Sequence, residues 1–231
     1  MKLGLFTDPH YSSRTLSCGV RYNSRSLDKI RKAYTHFAAN GCELVICLGD
    51  LIDTEDSVDK IRQNLKCIAE VIRESGIPTY CLRGNHDAFL LEYGEFYSIL
   101  GSCEPRDVEL DGKHLIFADA CYFKDGRRYS PGDTDWTDTF YPFAKELAAK
   151  LECVTGDAYV FMHQNIDPSA PPDHRLANAD EMFDVINRSG AARAVFQGHY
   201  HKGCTSQYGG VKYITLPAVC EHENAYFIYD I

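Results

Sequence analysis

No stretch of this 231-residue chain approaches the apolar length needed to cross a bilayer, and the short apolar run after Met1 falls far below a signal peptide. A basic surplus is missing as well. Lys and Arg total 24 against 33 Asp and Glu, a formal net charge of -9. That speaks against a general binder of nucleic acid or anionic membranes, because phosphate backbones call for a basic face. The ten cysteines form no Cys-x-x-Cys pair. They are scattered, and Cys47 and Cys81 stand in apolar runs where cysteine acts as a small hydrophobe. A disulfide framework is therefore set aside, and a reduced, cytoplasmic protein is expected. Repeats and low-complexity linkers are also lacking, so the length suits one domain over residues 1–231.

What is present is a series of apolar runs, each stopping at polar residues. Leu3 to Phe6 ends in Thr7-Asp8-Pro9-His10, where the proline forces a loop. Leu44 to Leu48 ends in Gly49-Asp50-Leu51-Ile52-Asp53, and Ile77 to Leu82 in Arg83-Gly84-Asn85-His86-Asp87. Helical spacing fills the gaps. Leu27, Ile30, Tyr34 and Phe37 predict a helix from Ser26 to Asn40; Ile61, Leu65, Ile68 and Ile72 predict another to Glu74, capped by Ser57 or Asp56. This β-α-β-α-β order is the pattern of a parallel sheet.

The second half reads differently. Residues 88 to 101 are expected to be helical, and Asp111-Gly112 turns a hairpin between Val108–Leu110 and His114–Ala118. A long polar loop over 122–138 precedes a helix from about Asp138 to Leu151. Ala158 to Met162 ends in His163-Gln164-Asn165, and Ala192 to Phe196 ends in Gly198-His199-Tyr200-His201, with a helix near Asp180 to Asn187 between them. A hairpin about Gly209-Gly210 and a strand from Ala225 to Tyr229 close the chain.

Any one of these strand ends is ordinary punctuation. Five in succession are not, because parallel strands ending on one edge of a sheet bring such side chains together. Asp8, His10, Asp50, Asp53, Asn85, His86, His163, His199 and His201 form a mixed nitrogen and oxygen set suited to first-row divalent metals. The set is too large for one ion, and an Asp can bridge two. Cysteine is absent from it, which argues against a structural zinc site.

In order, Asp-x-His, Gly-Asp, Gly-Asn-His-Asp, a strand-end His and Gly-His-x-His resemble the calcineurin-like metallophosphoesterases, and the likeness spans Asp8 to His201. The resemblance implies an αββα sandwich, two mixed β-sheets flanked by helices. It implies two metal ions, Mn, Fe or Zn. Asp8, His10, Asp50 and His201 would hold one; Asp50 would bridge to a second held by Asn85, His163 and His199. His86 would stand by the leaving group as general acid, and Asp53 would orient it. The implied reaction is hydrolysis of a phosphoester or phosphoanhydride by water that the metals activate.

The substrate is read from weaker signals. Arg21-Tyr22-Asn23-Ser24-Arg25-Ser26, ahead of the first helix, is similar to the branch that includes ADP-ribose pyrophosphatases, with cyclic-nucleotide phosphodiesterases related to it. Gln164-Asn165 departs from the His-Pro of many cyclic-nucleotide members. Arg21 and Arg25 are candidates for a phosphate clamp, since a planar guanidinium matches phosphate; the plainer reading is a solvated helix start. Arg127, Arg128, Tyr129 and Trp136 either line the pocket or anchor a surface loop. A small phosphorylated substrate, possibly a nucleotide, is expected, with neither nucleic acid nor a membrane as partner. The competing readings are a nuclease and a non-catalytic scaffold of the same fold.

Overall fold

Strands buried on both faces need apolar side chains at every position rather than at alternate ones, and the apolar runs are used in that way. A computed structural model describes residues 1–133 and 138–231. The strands are β1 (Lys2–Phe6), β2 (Leu44–Cys47), β3 (Thr79–Cys81), β4 (Val108–Leu110), β5 (Lys113–Ala118), β6 (Asp157–Met162), β7 (Ala192–Gln197), β8 (Cys204–Tyr208), β9 (Val211–Thr215) and β10 (Tyr226–Asp230). The helices are α1 (Ser26–Ala39), α2 (Val58–Ser75), α3 (Asn85–Leu90), α4 (Tyr93–Leu100), α5 (Ala144–Cys153) and α6 (Ala179–Arg188). One sheet has the order β10-β1-β2-β3, the other β4-β5-β6-β7-β9-β8. β1, β2 and β3 run parallel, as do β5, β6, β7 and β9.

Three apolar layers hold the sandwich together. Leu3, Leu5 and Ile46 of the first sheet meet Leu115, Phe161 and Phe196 of the second. The opposite faces of the same strands, Phe6 and Val45 among them, pack on Ile30 and Phe37 of α1 and Leu65 and Ile68 of α2. Val160 and Val195 pack on Leu147 of α5 and Met182 and Ile186 of α6. The expected αββα arrangement is the observed one. Gly4 makes the α1 contact possible: a Cβ there would lie 2.7 Å from the Phe37 ring.

Some boundaries differ from the sequence expectation. The helix expected from Asp138 begins at Ala144. Pro142 disfavours helical backbone at the residue before it, and Tyr141 is instead tied on both its backbone sides to the Asn178 amide, at 3.1 and 2.9 Å. The helical stretch after Asp87 is two helices, broken where Leu91 turns extended. The third strand is only Thr79–Cys81, because Pro78 has no N–H to offer a ladder.

Candidate metal centre

The parallel strands β1, β2, β6 and β7 all end on the same edge, and their carboxyl-terminal loops converge there. The backbone of those loops is unusual. Asp8, His10, Asp50 and His199 adopt φ of 52°, 43°, 52° and 65°, the left-handed region that non-glycine residues rarely occupy. Two glycines let the motifs touch. A Cβ on Gly84 would lie 2.0 Å from the Asp50 Oδ1, and one on Gly49 would lie 2.6 Å from the Gly84 nitrogen.

Asp87, the last residue of its motif, clamps this junction. Its carboxylate accepts from the backbone N–H groups of Leu51 (3.1 Å), Ile52 (3.1 Å) and Gly84 (3.0 Å). Burial, together with the nearby charge of Asp50, pushes its pKa up to about 7. A buried group that binds three backbone donors fixes one loop against the other.

Asp50 sits at the middle of the centre. Its Oδ1 accepts from the His86 N–H at 2.9 Å, and its Oδ2 lies 3.2 Å from His163 Nε2 and 3.4 Å from His10 Nε2. The Asp8 Oδ1 lies 3.4 Å from His201 Nε2, 3.6 Å from His10 Nε2 and 4.0 Å from His163 Nε2. Its Oδ2 is held by Thr7 Oγ1 (2.6 Å) and by the His199 N–H (3.0 Å). His163 contacts the Leu48 carbonyl through Nδ1 at 3.0 Å, which leaves Nε2 for the centre. Asp53 lies between two rings, 3.6 Å from His86 Nδ1 and 3.6 Å from His10 Nδ1. Asn23 donates to Asp53 Oδ2 at 3.0 Å and to the His10 carbonyl at 2.7 Å.

Buried charge shifts the protonation of these groups. Burial pushes the Asp8 carboxyl up, but His163, His10 and His201 outweigh it and hold it well below the usual carboxylate range. Asp50 and Asp53 are lowered the same way, against the same cost of burial, chiefly by His163 and His86 respectively. Burial and the charge of neighbouring histidines push His10 down to about 4 and His199 down to about 3. For His163 the carboxylates of Asp50 and Asp8 overcome burial and raise it to about 9.

The residues present fit metal ions. Asp8 Oδ1, both amide atoms of Asn85 and His163 Nε2 are buried without a hydrogen-bond partner among the described residues. Such atoms are costly unless something compensates them. Donor atoms of His10, Asp50 and His86 lie within 4.8 Å of one another, as do those of Asp50, His163 and His199. Asp50 belongs to both groups, as a bridging ligand must. Oxygen and imidazole donors suit first-row divalent ions, and a third such grouping joins His10 and His201 with the Cys220 thiol.

The centre opens into a cavity of about 580 Å³. Arg21, His86, His174, Tyr200, Lys202 and Glu221 are among its walls. Arg21 reaches it with its guanidinium 3.5 Å from Asp53 Oδ2. Arg25 is placed elsewhere: it is exposed and pairs with Glu223 at 3.2 Å. Arg127 pairs with Asp133, Arg128 stacks on Tyr93 at 3.7 Å, and Tyr129 is buried; none of the three lines the cavity. Trp136 lies outside the described residues. Sequence reasoning missed Glu221, Asn23 and the clamp of Asp87. The Gly84-to-Asp87 motif contained the signal for the last, whereas nothing in the sequence singles out Glu221.

The family model described as calcineurin-like phosphoesterase matches residues 1–203. The chain is 27% identical over 188 residues to a probable cyclic nucleotide phosphodiesterase of Psychrobacter arcticus, covering 78% of this chain and 64% of the relative. It is 22% identical over 232 residues to a 3',5'-cyclic adenosine monophosphate phosphodiesterase of Haemophilus influenzae, covering 95% of this chain and 77% of the relative. Among solved structures, a dimetal phosphatase from Danio rerio superposes with a TM-score of 0.84 at 17% identity, covering 98% of this chain and 91% of the other. This chain therefore spans just under two thirds of the Psychrobacter relative's length.

Proposed function

Because this chain belongs to the calcineurin-like phosphoesterase family, which implies two metal ions, we propose that it hydrolyses a phosphoester or phosphoanhydride bond of a small phosphorylated substrate. One observation carries the reading: Asp8 Oδ1, the Asn85 amide and His163 Nε2 are buried without a hydrogen-bond partner among the described residues, and His163 Nε2 lies 3.2 Å from the Asp50 carboxylate. In this reading Asp8, His10, Asp50 and His201 hold one ion, and Asp50, Asn85, His163 and His199 the other. When bound, two such ions supply Lewis acidity, which neutralises phosphoryl charge and makes water a competent nucleophile near neutral pH.

The chain's own residues do the rest. His86 lines the cavity beside Asp50, where it donates a proton to the departing oxygen. Asp53, 3.6 Å from His86 Nδ1, orients that ring. Arg21 faces the phosphate from the cavity wall, and its planar donors suit that group. None of the nominated residues is needed as a nucleophile, so no phosphoenzyme forms.

Nucleotides are the favoured substrate class. The two bacterial relatives are named for cyclic nucleotides, and Tyr200 and His174, whose rings pack edge to face on each other with centroids 5.1 Å apart, place aromatic surface at the cavity wall. Nucleotide pyrophosphates such as ADP-ribose remain in the same class. The test is hydrolysis of a chromogenic phosphodiester, a phosphomonoester, a cyclic nucleotide and ADP-ribose with Mn²⁺ added, alongside metal analysis. Turnover of the nucleotides above the generic esters is expected. A chain that binds two ions and hydrolyses none of the four is a scaffold.

A further inference from the structure

The loop from Ala218 to Glu223 belongs to no motif, yet it is tied to three walls of the centre. Ala218 N–H donates to the His201 carbonyl (3.0 Å), Val219 N–H to Thr7 (3.0 Å) and Cys220 N–H to Asp8 (3.1 Å), while the Cys220 carbonyl accepts from Tyr22 (2.9 Å). Lys29 of α1 holds the loop from behind. That lysine is buried, and its ammonium donates to the carbonyls of Val219 (2.8 Å), His222 (3.1 Å) and Cys220 (3.5 Å). An ammonium has three protons, and here all of them point at one loop.

The loop delivers a carboxylate. Glu221 Oε1 lies 2.5 Å from His201 Nδ1, on the side of the ring away from Asp8. The other ring nitrogen, Nε2, faces Asp8 Oδ1 at 3.4 Å and His10 Nε2 at 3.3 Å. A neutral imidazole carries one N–H and one lone pair, and the partner of the first decides where the second points.

We propose that Glu221 is the positioning residue of His201: it holds the Nδ1 proton, so that the Nε2 lone pair is presented to the centre. This rests on the metal-centre reading above and deepens it. Without Glu221 the ring is free to carry its proton on Nε2, facing Asp8, where it cannot hold a cation. A carboxylate behind a ligating histidine also raises the basicity of the ligating nitrogen. His163 is served differently, by the neutral Leu48 carbonyl at 3.0 Å. The two ion positions are therefore unequal in their support. The one that uses His201 depends on a side chain; the one that uses His163 depends on backbone.

Calorimetric titration of Mn²⁺ into metal-free wild type, Glu221→Ala and Glu221→Gln tests this, with far-UV circular dichroism to establish that each variant is folded. Glu221→Ala should weaken one of two ions about 10- to 100-fold and leave the other unchanged. Glu221→Gln, whose amide oxygen still accepts from Nδ1, should recover most of that loss. The downfield Nδ1–H resonance of His201 should disappear in the alanine variant and return in the glutamine one. A folded Glu221→Ala that binds both ions as the wild type does removes Glu221 from this role and leaves the centre standing. Equal weakening of both ions overturns selective positioning. A wild type that binds no Mn²⁺ overturns the metal-centre reading, and this inference with it.

Discussion

His86 and Gly84 are two residues apart and have opposite consequences when changed. His86 reaches the cavity beside Asp53 and the His10 ring, and it is not among the ligands proposed above. His86→Ala is therefore expected to keep both ions while lowering kcat by about 10²- to 10⁴-fold, the range for one general acid. Metal analysis beside steady-state kinetics checks it; loss of an ion means His86 is a ligand, which its closeness to His10 and Asp50 makes a meaningful outcome. Gly84→Ala acts the other way. Its Cβ collides with Asp50 Oδ1, so the variant should lose ion binding although no ligand has been altered. Normal Mn²⁺ binding by Gly84→Ala would show that the two loops can separate.

The strand-end residues were legible in the sequence because each motif is local: a strand stops and its polar residues follow at once. Glu221 was not, since its tie to His201 depends on a loop brought back by the final strand. Arg25 marks the opposite limit. It stands four positions from Arg21, yet at the helix start the chain turns it outward to Glu223.

At the scale of the elements, the layer between the sheets joins the two halves of the sandwich. Phe161 is fully buried there and stacks on Phe196 at 5.1 Å. Phe161→Ala should destabilise the protein by about 3–5 kcal/mol, the usual cost of a large buried ring, measured by urea unfolding. Helix ends matter less. Ser57 caps α2, but its oxygen is 3.4 Å from the Lys60 N–H, a long bond, so Ser57→Ala should cost only about 0.5–1 kcal/mol, the low end for a cap. A larger loss would mean that Ser57 does more than cap. The α2 boundaries were readable from Ser57 and Gly76, which caps in the left-handed conformation. The late start of α5 was readable only in part: Pro142 is a local signal, but the partner that occupies Tyr141, Asn178, is distant in sequence.

At the scale of the whole molecule, the acidic balance extends into the cavity, where Asp50, Asp173 and Glu221 are among the walls. The chain is acidic overall, but Arg21 and Lys202 stand at the cavity among the histidines. Among the described residues no helix is long and apolar enough to cross a membrane. Apolar runs and helical spacing made the parallel strands and their helices legible, and the two-sheet sandwich was implied by the family resemblance; the pairing of β10 beside β1 was not legible, since a strand's own pattern does not name a partner at the far end of the chain.

His10 and His201 are 191 positions apart, and their ring nitrogens lie 3.3 Å from each other. A cation gripped by both works as a staple. In the unfolded chain it would have to close a ring through most of the polypeptide, an entropic cost that grows with loop length. Ligation and global unfolding are thereby coupled. Mn²⁺ at one hundred times its Kd should raise Tm by roughly 5–10 °C, and Asp50→Asn should remove that rise. An unchanged Tm in the wild type would mean that no staple forms. Melting thus reports on the centre before any substrate is in hand.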